Sequence, residues 1–591
     1  MAHCSKLTAF ITLRPQISAM KKLLIIPALL LLLSSCQKSF DTTKQEFIKK
    51  LWVTYPGFAT SQGYHKYDSV LVVPNQESRY AELRLAKWIE NELADFKFEK
   101  LSANDKTDYR ILQDYAKSIR FNVNEFKSHE WDPSSYNLGG AIFGVMDYKG
   151  ESVDDKLRAI SSKLKNAPAY FEAAKANIHN PTFEHTSLAI KQNNGSLYFF
   201  KSVFPDSLAT SKLSDAEKAA FNTNAAAAQK AIEGYVSFLQ TDVLAKSDTT
   251  KMRSFRIGKS LYAKKFLLDI DSRYTADEMY AKAEARKAWL HQDMNRLTDS
   301  LWPKYLAKVA APVDTLAKIK MLIDKISEQH CQADSFMSTI EKQLPELTTF
   351  INAHHLIDLD STKPLKVRKT PEYAAGVAGA GIDAPGPYDK QAATYYNVTP
   401  LTGYTPEEAE SYLREYNNYV LQILNIHEAI PGHYTQLIYA NRTPDIIKTI
   451  FGNGSMIEGW ACYGERMMIE EGYGKSPEMQ LFYDKWNLRE VCNFILDYNI
   501  HCNNWSEGQV LDLIVKQAFQ QTAEAHEKWK RATLSQVQLA SYFNGLTEIY
   551  ELREEMKQKQ GAQFDLKKFH EQFLSYGSAP VKEIRALMLG N

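Results

Sequence analysis

Cysteine is scarce in this chain, six residues in 591, and the four beyond position 36 (Cys331, Cys462, Cys492 and Cys502) lack the paired spacing of a zinc ribbon or a disulfide scaffold. All four are read as structural. Neither sign of charge dominates: 71 Lys and Arg oppose 70 Asp and Glu, leaving a formal charge of +1. A balance this close to neutral supplies no basic field for nucleic acid or acidic lipid, which excludes partners held mainly by electrostatics. Sustained strand alternation is rare, no internal repeat is evident, and low complexity is limited to Ala-rich patches. The main apolar run, Leu23 to Leu33, is too short to span a bilayer.

That run follows Lys21 and Lys22 and ends in Leu33-Ser34-Ser35-Cys36. A basic region, a short apolar stretch and small residues before a cut describe a secretory signal. Its ending resembles a bacterial lipobox, which implies that residues 1–35 are removed and that Cys36 carries the lipid. Met20 then reads as the true start. The expected product is an exported bacterial lipoprotein, anchored to the membrane through Cys36 on its periplasmic or cell-surface side. About 550 residues follow the signal, and with 44% of the chain hydrophobic they suffice for one large or two ordinary cores.

Apolar residues recur at three- and four-residue steps over Ser78–Ala94, Ser214–Leu239, Ala276–Leu301 and Val313–Gln343, so the fold class expected is mainly α. The pattern breaks over Ser361–Pro400, rich in Pro, Gly and Ala, within which Ala393–Val398 favours a β-strand. A boundary near residue 385 predicts a helical lobe over 36–385 and a second over 386–591. Thr405-Pro406-Glu407-Glu408 pairs a capping box with proline at the first helical position, predicting a helix that runs toward residue 440.

On that helix lie His427 and Glu428, followed by His433. They resemble the His-Glu-x-x-His pattern, in which two imidazoles bind zinc and the glutamate acts on its water. The spacing is wider by two. On a regular helix residues i and i+6 stand about 240° apart and could not reach one ion. Pro431 and Gly432 lie between them, and an interior proline breaks the hydrogen-bond ladder, so a kink or bulge is expected to bring the histidines together. Two packed or solvated histidines beside a kinked helix are the alternative.

A third ligand is expected on the next helix, where Glu458 and Glu465 are seven residues, two turns, apart and share a face. Glu458, beside Gly459 (which permits close approach of a neighbour) and Trp460, is the candidate. Glu465 is either the substitute ligand or a partner for an imidazole N–H. Glu470 and Glu471 read as solvated.

Together with YPGFATSQGYHKYDSVL (55–71), HEAIPGH (427–433) with Gln436, EGWACYGE (458–465), Asp497 to His501 with Trp505, QLASYFNG (538–545) and FHEQFLSYGSAP (569–580), these residues resemble the bacterial family of unknown function numbered 885. The resemblance spans nearly the whole mature chain. It implies a large helical fold with a deep cleft and a small β edge element, similar to the zinc peptidases of the angiotensin-converting-enzyme and thimet-oligopeptidase group. It also implies His427, His433 and Glu458 as ligands of Zn2+ and Glu428 as general base. His501 and Tyr542 become candidate donors to the oxyanion. Two departures bear on substrate anchoring: Asn493 stands where an arginine is common, and Gln536-Val537 where Pro-Gly is frequent before Gln538.

The expected chemistry is hydrolysis of a peptide substrate by a metal-activated water, with Glu428 taking its proton. Ala393–Val398 as an edge strand, and Arg489 and Arg531 as carboxylate anchors, are candidate substrate contacts. A zinc amidase acting on cell-wall or other non-peptide amides would use the same residues. A catalytically silent binding lipoprotein is the third reading, though such a descendant would be expected to have lost Glu428.

Overall fold

The computed structural model describes residues 38–590 apart from 247, 249–250, 371–379 and 390–392. The signal region 1–35, with Met20, and Cys36 lie outside the described residues. The chain divides into a unit ending at Ile48 and a second running from Lys49 onward. In the first, a helix begins at Phe40 and Lys38 pairs with Glu46. The second carries every residue discussed below.

Helices dominate the second unit, as the periodicity predicts. They include α1 (Gln76–Ala94), α2 (Asp215–Phe238) and α3 (Ala276–Tyr305). Ser214 and Thr275 cap α2 and α3 through capping boxes with Glu217 and Glu278, satisfying donors that a helix start leaves free. The helix expected over Val313–Gln343 is instead two, α4 (Thr315–Ile326) and α5 (Phe336–Ala353). The apolar spacing lapses after Ile326, and distant polar groups hold the break: Asn418 N–H donates to Gln329 O, and the Asn417 amide to Ser327 Oγ.

The Pro/Gly/Ala-rich stretch contains a three-stranded sheet of β1 (Leu365–Lys369), β2 (Ala380–Asp383) and β3 (Thr394–Val398), ordered β1-β3-β2. β3 pairs parallel with β1, Leu365 opposite Thr394, and antiparallel with β2, Asp383 opposite Tyr395. The β-favouring segment is therefore the central strand and not an edge, so it cannot take an added peptide strand. Its composition marks it as a strand, but its neighbours are set by chain segments up to thirty residues away. The buried side of β3 carries Tyr396, whose hydroxyl donates to Asn425 Oδ1 at 2.9 Å.

The predicted helix from Thr405 to residue 440 also divides, into α6 (Pro406–Glu415), α7 (Val420–Glu428) and α8 (His433–Ala440). The capping box at Thr405 forms as expected. Asn417 ends the first piece, its Oδ1 accepting from the N–H groups of Tyr419 and Val420. Then follow α9 (Gly454–Glu470), α10 (Pro477–Asn503), α11 (Thr522–Leu534) and α12 (Ser541–Gln560). α10 is buried on nearly all sides, from Leu481 to His501, because α3, α7, α9 and α12 all pack against it. No helix among the described residues is long and apolar enough to cross a membrane.

Candidate metal centre

α7 ends at Glu428, directly after His427, and α8 begins at His433. The four residues between, Ala429–Gly432, contain the cis Ile430–Pro431 bond and turn the chain so that the two imidazoles meet. Their centroids lie 4.7 Å apart with the rings nearly perpendicular. A complete break, more than the expected kink or bulge, thus offsets the six-residue spacing.

Gly432 is required at this turn. Its N–H donates to Ile426 O at 3.0 Å, and a Cβ there would lie 1.8 Å from His427 O and 2.4 Å from Ile426 O. Gly432→Ala is therefore expected to push the end of α7 away from α8 and separate the histidines. Zinc affinity measured by competition with a chromophoric chelator should fall at least about tenfold, the scale on which displaced partners of a metal ligand act. Unchanged affinity would mean that the turn does not position the pair.

α9, capped by Asn453, lies across the pair with the face predicted for Glu458 and Glu465. Glu458 Oε2 stands 3.6 Å from His427 Nε2 and 3.4 Å from His433 Nε2. Glu465 Oε1 accepts from His427 Nδ1 at 2.6 Å and from the indole of Trp486 at 2.9 Å. One imidazole is thus addressed by both carboxylates, one at each ring nitrogen. Trp460 points the other way and donates to Pro431 O at 2.8 Å, fastening α9 to the turn. Gly459 meets Gly545 of α12, where a Cβ on Gly459 would fall 2.4 Å from Gly545 Cα. The close approach expected of Gly459 is made by this helix.

Burial raises the Glu458 carboxyl, but the two histidines outweigh it and hold it below the usual carboxylate range. Glu428 is shifted upward by burial and by Glu458, against the opposing pull of His433 and His427. The charges of both histidines and of Glu458 act on the Glu428 carboxyl, which places it in the field of the pair. Tyr542, near the start of α12, stacks 6.3 Å from His427, its hydroxyl accepting from Arg531 at 3.0 Å. Burial and the charge of Glu458 push its phenol up to about 12, so it remains a proton donor at neutral pH.

His501 is placed elsewhere. It is buried on α10, its Nε2 donating to the carbonyls of Ala532 and Ser535 at 3.2 and 3.0 Å, and it packs against Tyr262 and Phe255. Burial lowers its pKa to about 4. None of these neighbours belongs to the histidine pair. Asp497, one turn earlier, accepts from Tyr262 OH and from the Val537 N–H. Val537 itself sits at φ 70°, a left-handed conformation that suits glycine, and this accounts for the Pro-Gly pattern from which the chain departs.

Sequence reasoning did not single out Trp486, Glu490 or the site-side role of Cys462. Donor atoms of His427, Cys462, Glu465 and Glu490 lie within 4.8 Å of one another, all four side chains buried. Burial pushes both the Glu465 and Glu490 carboxyls upward, helped at Glu465 by the charges of Glu428 and Glu458 and at Glu490 by that of Glu465. No spacing in the sequence joins α9 and α10 at these positions.

A family model described as a bacterial protein of unknown function (DUF885) matches residues 56–588. A solved structure of a putative lipoprotein of unknown function from Shewanella oneidensis is 49% identical, covering 93% of this chain and 100% of its own, with a TM-score of 0.85. A putative lipoprotein from Colwellia psychrerythraea is 16% identical over 94% of this chain and 98% of its own, with a TM-score of 0.75, and shares the fold. No curated protein matches.

Proposed function

Because the chain belongs to the DUF885 family of bacterial proteins of unknown function, we propose its activity from the site itself: a zinc-dependent hydrolase that cleaves peptide amides. The observation that carries this reading is the convergence of one donor atom from each of His427, His433 and Glu458 within 4.8 Å of one another. Donors bound tetrahedrally at about 2.0–2.1 Å from zinc stand about 3.4 Å apart. The contacts of Glu458 Oε2 with the imidazoles, 3.6 and 3.4 Å, match that separation and exceed ordinary hydrogen-bond length. Two neutral imidazoles and one carboxylate fit zinc with one position left for water or substrate.

Zinc held there would supply Lewis acidity, bringing the pKa of a water toward neutrality and polarising the amide carbonyl. The other tasks fall to the chain. Glu428 accepts the proton of the attacking water and returns it to the departing amine. The Tyr542 hydroxyl donates a hydrogen bond to the carbonyl oxygen as negative charge develops on it. Glu465, with Trp486, holds His427 so that Nδ1 carries the proton and Nε2 faces the site. His501 takes no part in these steps. Incubation of the zinc-loaded protein with a peptide library and a panel of cell-wall amides tests the substrate class. Cleavage of peptides is expected, whereas turnover of cell-wall amides alone would make the protein an amidase.

The anchor belongs to the same proposal. The lipobox-like ending at Cys36 and the putative-lipoprotein relative from Shewanella oneidensis support a lipid-modified chain. In a bacterial host, Cys36→Ser is expected to move the protein from the membrane pellet to the soluble fraction, or to leave the signal uncut. A membrane-bound Cys36→Ser protein with a processed, unmodified N-terminus would contradict the anchor.

A further inference from the structure

Next to the metal centre, α6, α10 and α11 bring four cations against two carboxylates. Lys485 Nζ pairs with Glu415 Oε1 at 2.9 Å, and Arg489 Nη2 with Glu524 Oε1 at 2.6 Å. Lys528 Nζ lies 3.8 Å from the same Glu524 oxygen. Arg531, the fourth cation, donates through Nη2 to two neutral partners, Gln538 Oε1 at 2.8 Å and Tyr542 OH at 3.0 Å. The buried Arg489 Nη1 makes no hydrogen bond among the described residues and stands 3.8 Å from Glu415, while the buried Tyr412 hydroxyl is likewise without a partner. Burial, with the charges of Arg489 and Arg531, lowers Lys528 to about 7, as expected where positive charge is in excess.

The cluster touches the reaction centre at two points. The Arg489 guanidinium lies 5.1 Å from the ring centroid of Trp486, whose indole donates to the Glu465 that orients His427. Arg531 holds Tyr542, which stacks on His427. Arg531 is exposed, and Arg489 and Glu524 keep 15% and 24% of their side-chain surface, so the cluster is open to solvent on the side of these residues. Arg531 is the cation of the cluster that pairs with no carboxylate among the described residues, so it is the one with capacity for an added anion. Guanidinium groups match a carboxylate in planar, two-pronged geometry.

We propose that Arg489 and Arg531 form a carboxylate subsite beside the scissile position, so that the substrates are peptides cut within one or two residues of a free C-terminus. This rests on the peptidase reading above. Lys485, Lys528 and the two glutamates hold the arginines in place, and Tyr542 links the subsite to the catalytic groups. An acidic side chain near the scissile bond offers the same chemistry, and the test separates the two sources.

Binding is measured by calorimetry on zinc-loaded Glu428→Gln protein, which does not depend on turnover. The probes are N-acetyl-trialanine, its C-terminal amide, and an amide of the same length with Glu at the middle position. The free acid is expected to bind at least about tenfold more tightly than the plain amide, the scale of a lost partly buried charge pair. In Arg531→Gln that preference should vanish while zinc content is unchanged, and Arg489→Gln should act likewise. Arg531 is exposed, so its variant remains informative if the Arg489 variant does not fold. Equal binding of acid and amide, or a preference that survives in Arg531→Gln, overturns the subsite. Equal binding of the Glu-containing amide and the free acid overturns the C-terminal assignment. A preference for the acid in a chain that hydrolyses neither peptide when Glu428 is intact would uphold the subsite and remove the peptidase reading. Equal hydrolysis of acid and amide would do the reverse.

Discussion

His427→Ala, His433→Ala and Glu458→Ala are each expected to lose bound zinc and peptide hydrolysis together, activity falling to the uncatalysed background. Three protein ligands hold a catalytic zinc with one position open, and a site reduced to two binds the ion too weakly to keep it through purification. Glu465→Gln should behave differently. Glu465 touches Nδ1 of His427 while Glu458 lies near both Nε2 atoms, so in the proposed site Glu465 orients a ligand and Glu458 is one. Loss of such a partner typically costs 10–100-fold in metal affinity, so zinc should still bind at saturating concentration. If Glu465→Gln abolished binding and Glu458→Ala left it intact, the ligand set would have to be redrawn around Glu465, Cys462 and Glu490.

Glu428→Gln is expected to keep about one zinc per chain and to slow hydrolysis about 10²–10⁴-fold, the usual contribution of a general base. Glutamine preserves size and hydrogen bonding but accepts no proton. The fall should appear in kcat with little change in KM, because the group acts on the water and not on substrate binding. Full activity in this variant would remove the proposed base and favour a binding role for the helical shell. Loss of zinc would make Glu428 a ligand.

Several of these features can be read from the sequence because short-range geometry sets them. The seven-residue spacing of Glu458 and Glu465 places both on one helical face, and both reach His427. Thr405 and Glu408 form their capping box locally. Gly459 marks a close helix approach, which α12 makes at Gly545. Where distant segments decide, the pattern misleads. Periodicity carries no sign of the Asn417 and Asn418 contacts that break two predicted helices. Strand propensity identifies β3 but not its two neighbours. The histidine of DYNIHCNNW lies two residues from the end of α10, yet its neighbours are Phe255, Tyr262 and the carbonyls of Ala532 and Ser535, none of them part of the pair. Lys528 and Arg489 look like surface residues in sequence, and only the packing of α6, α10 and α11 shows them sharing Glu524, with Glu415 on the other side of Arg489.

Zinc content after equilibration with zinc and gel filtration, measured by inductively coupled plasma mass spectrometry on the wild-type chain and on His433→Ala side by side, tests the metal centre most directly. About one zinc per wild-type chain and essentially none in His433→Ala is the predicted result. A wild-type chain that retains no zinc, or a variant that retains as much as the wild type, would contradict it.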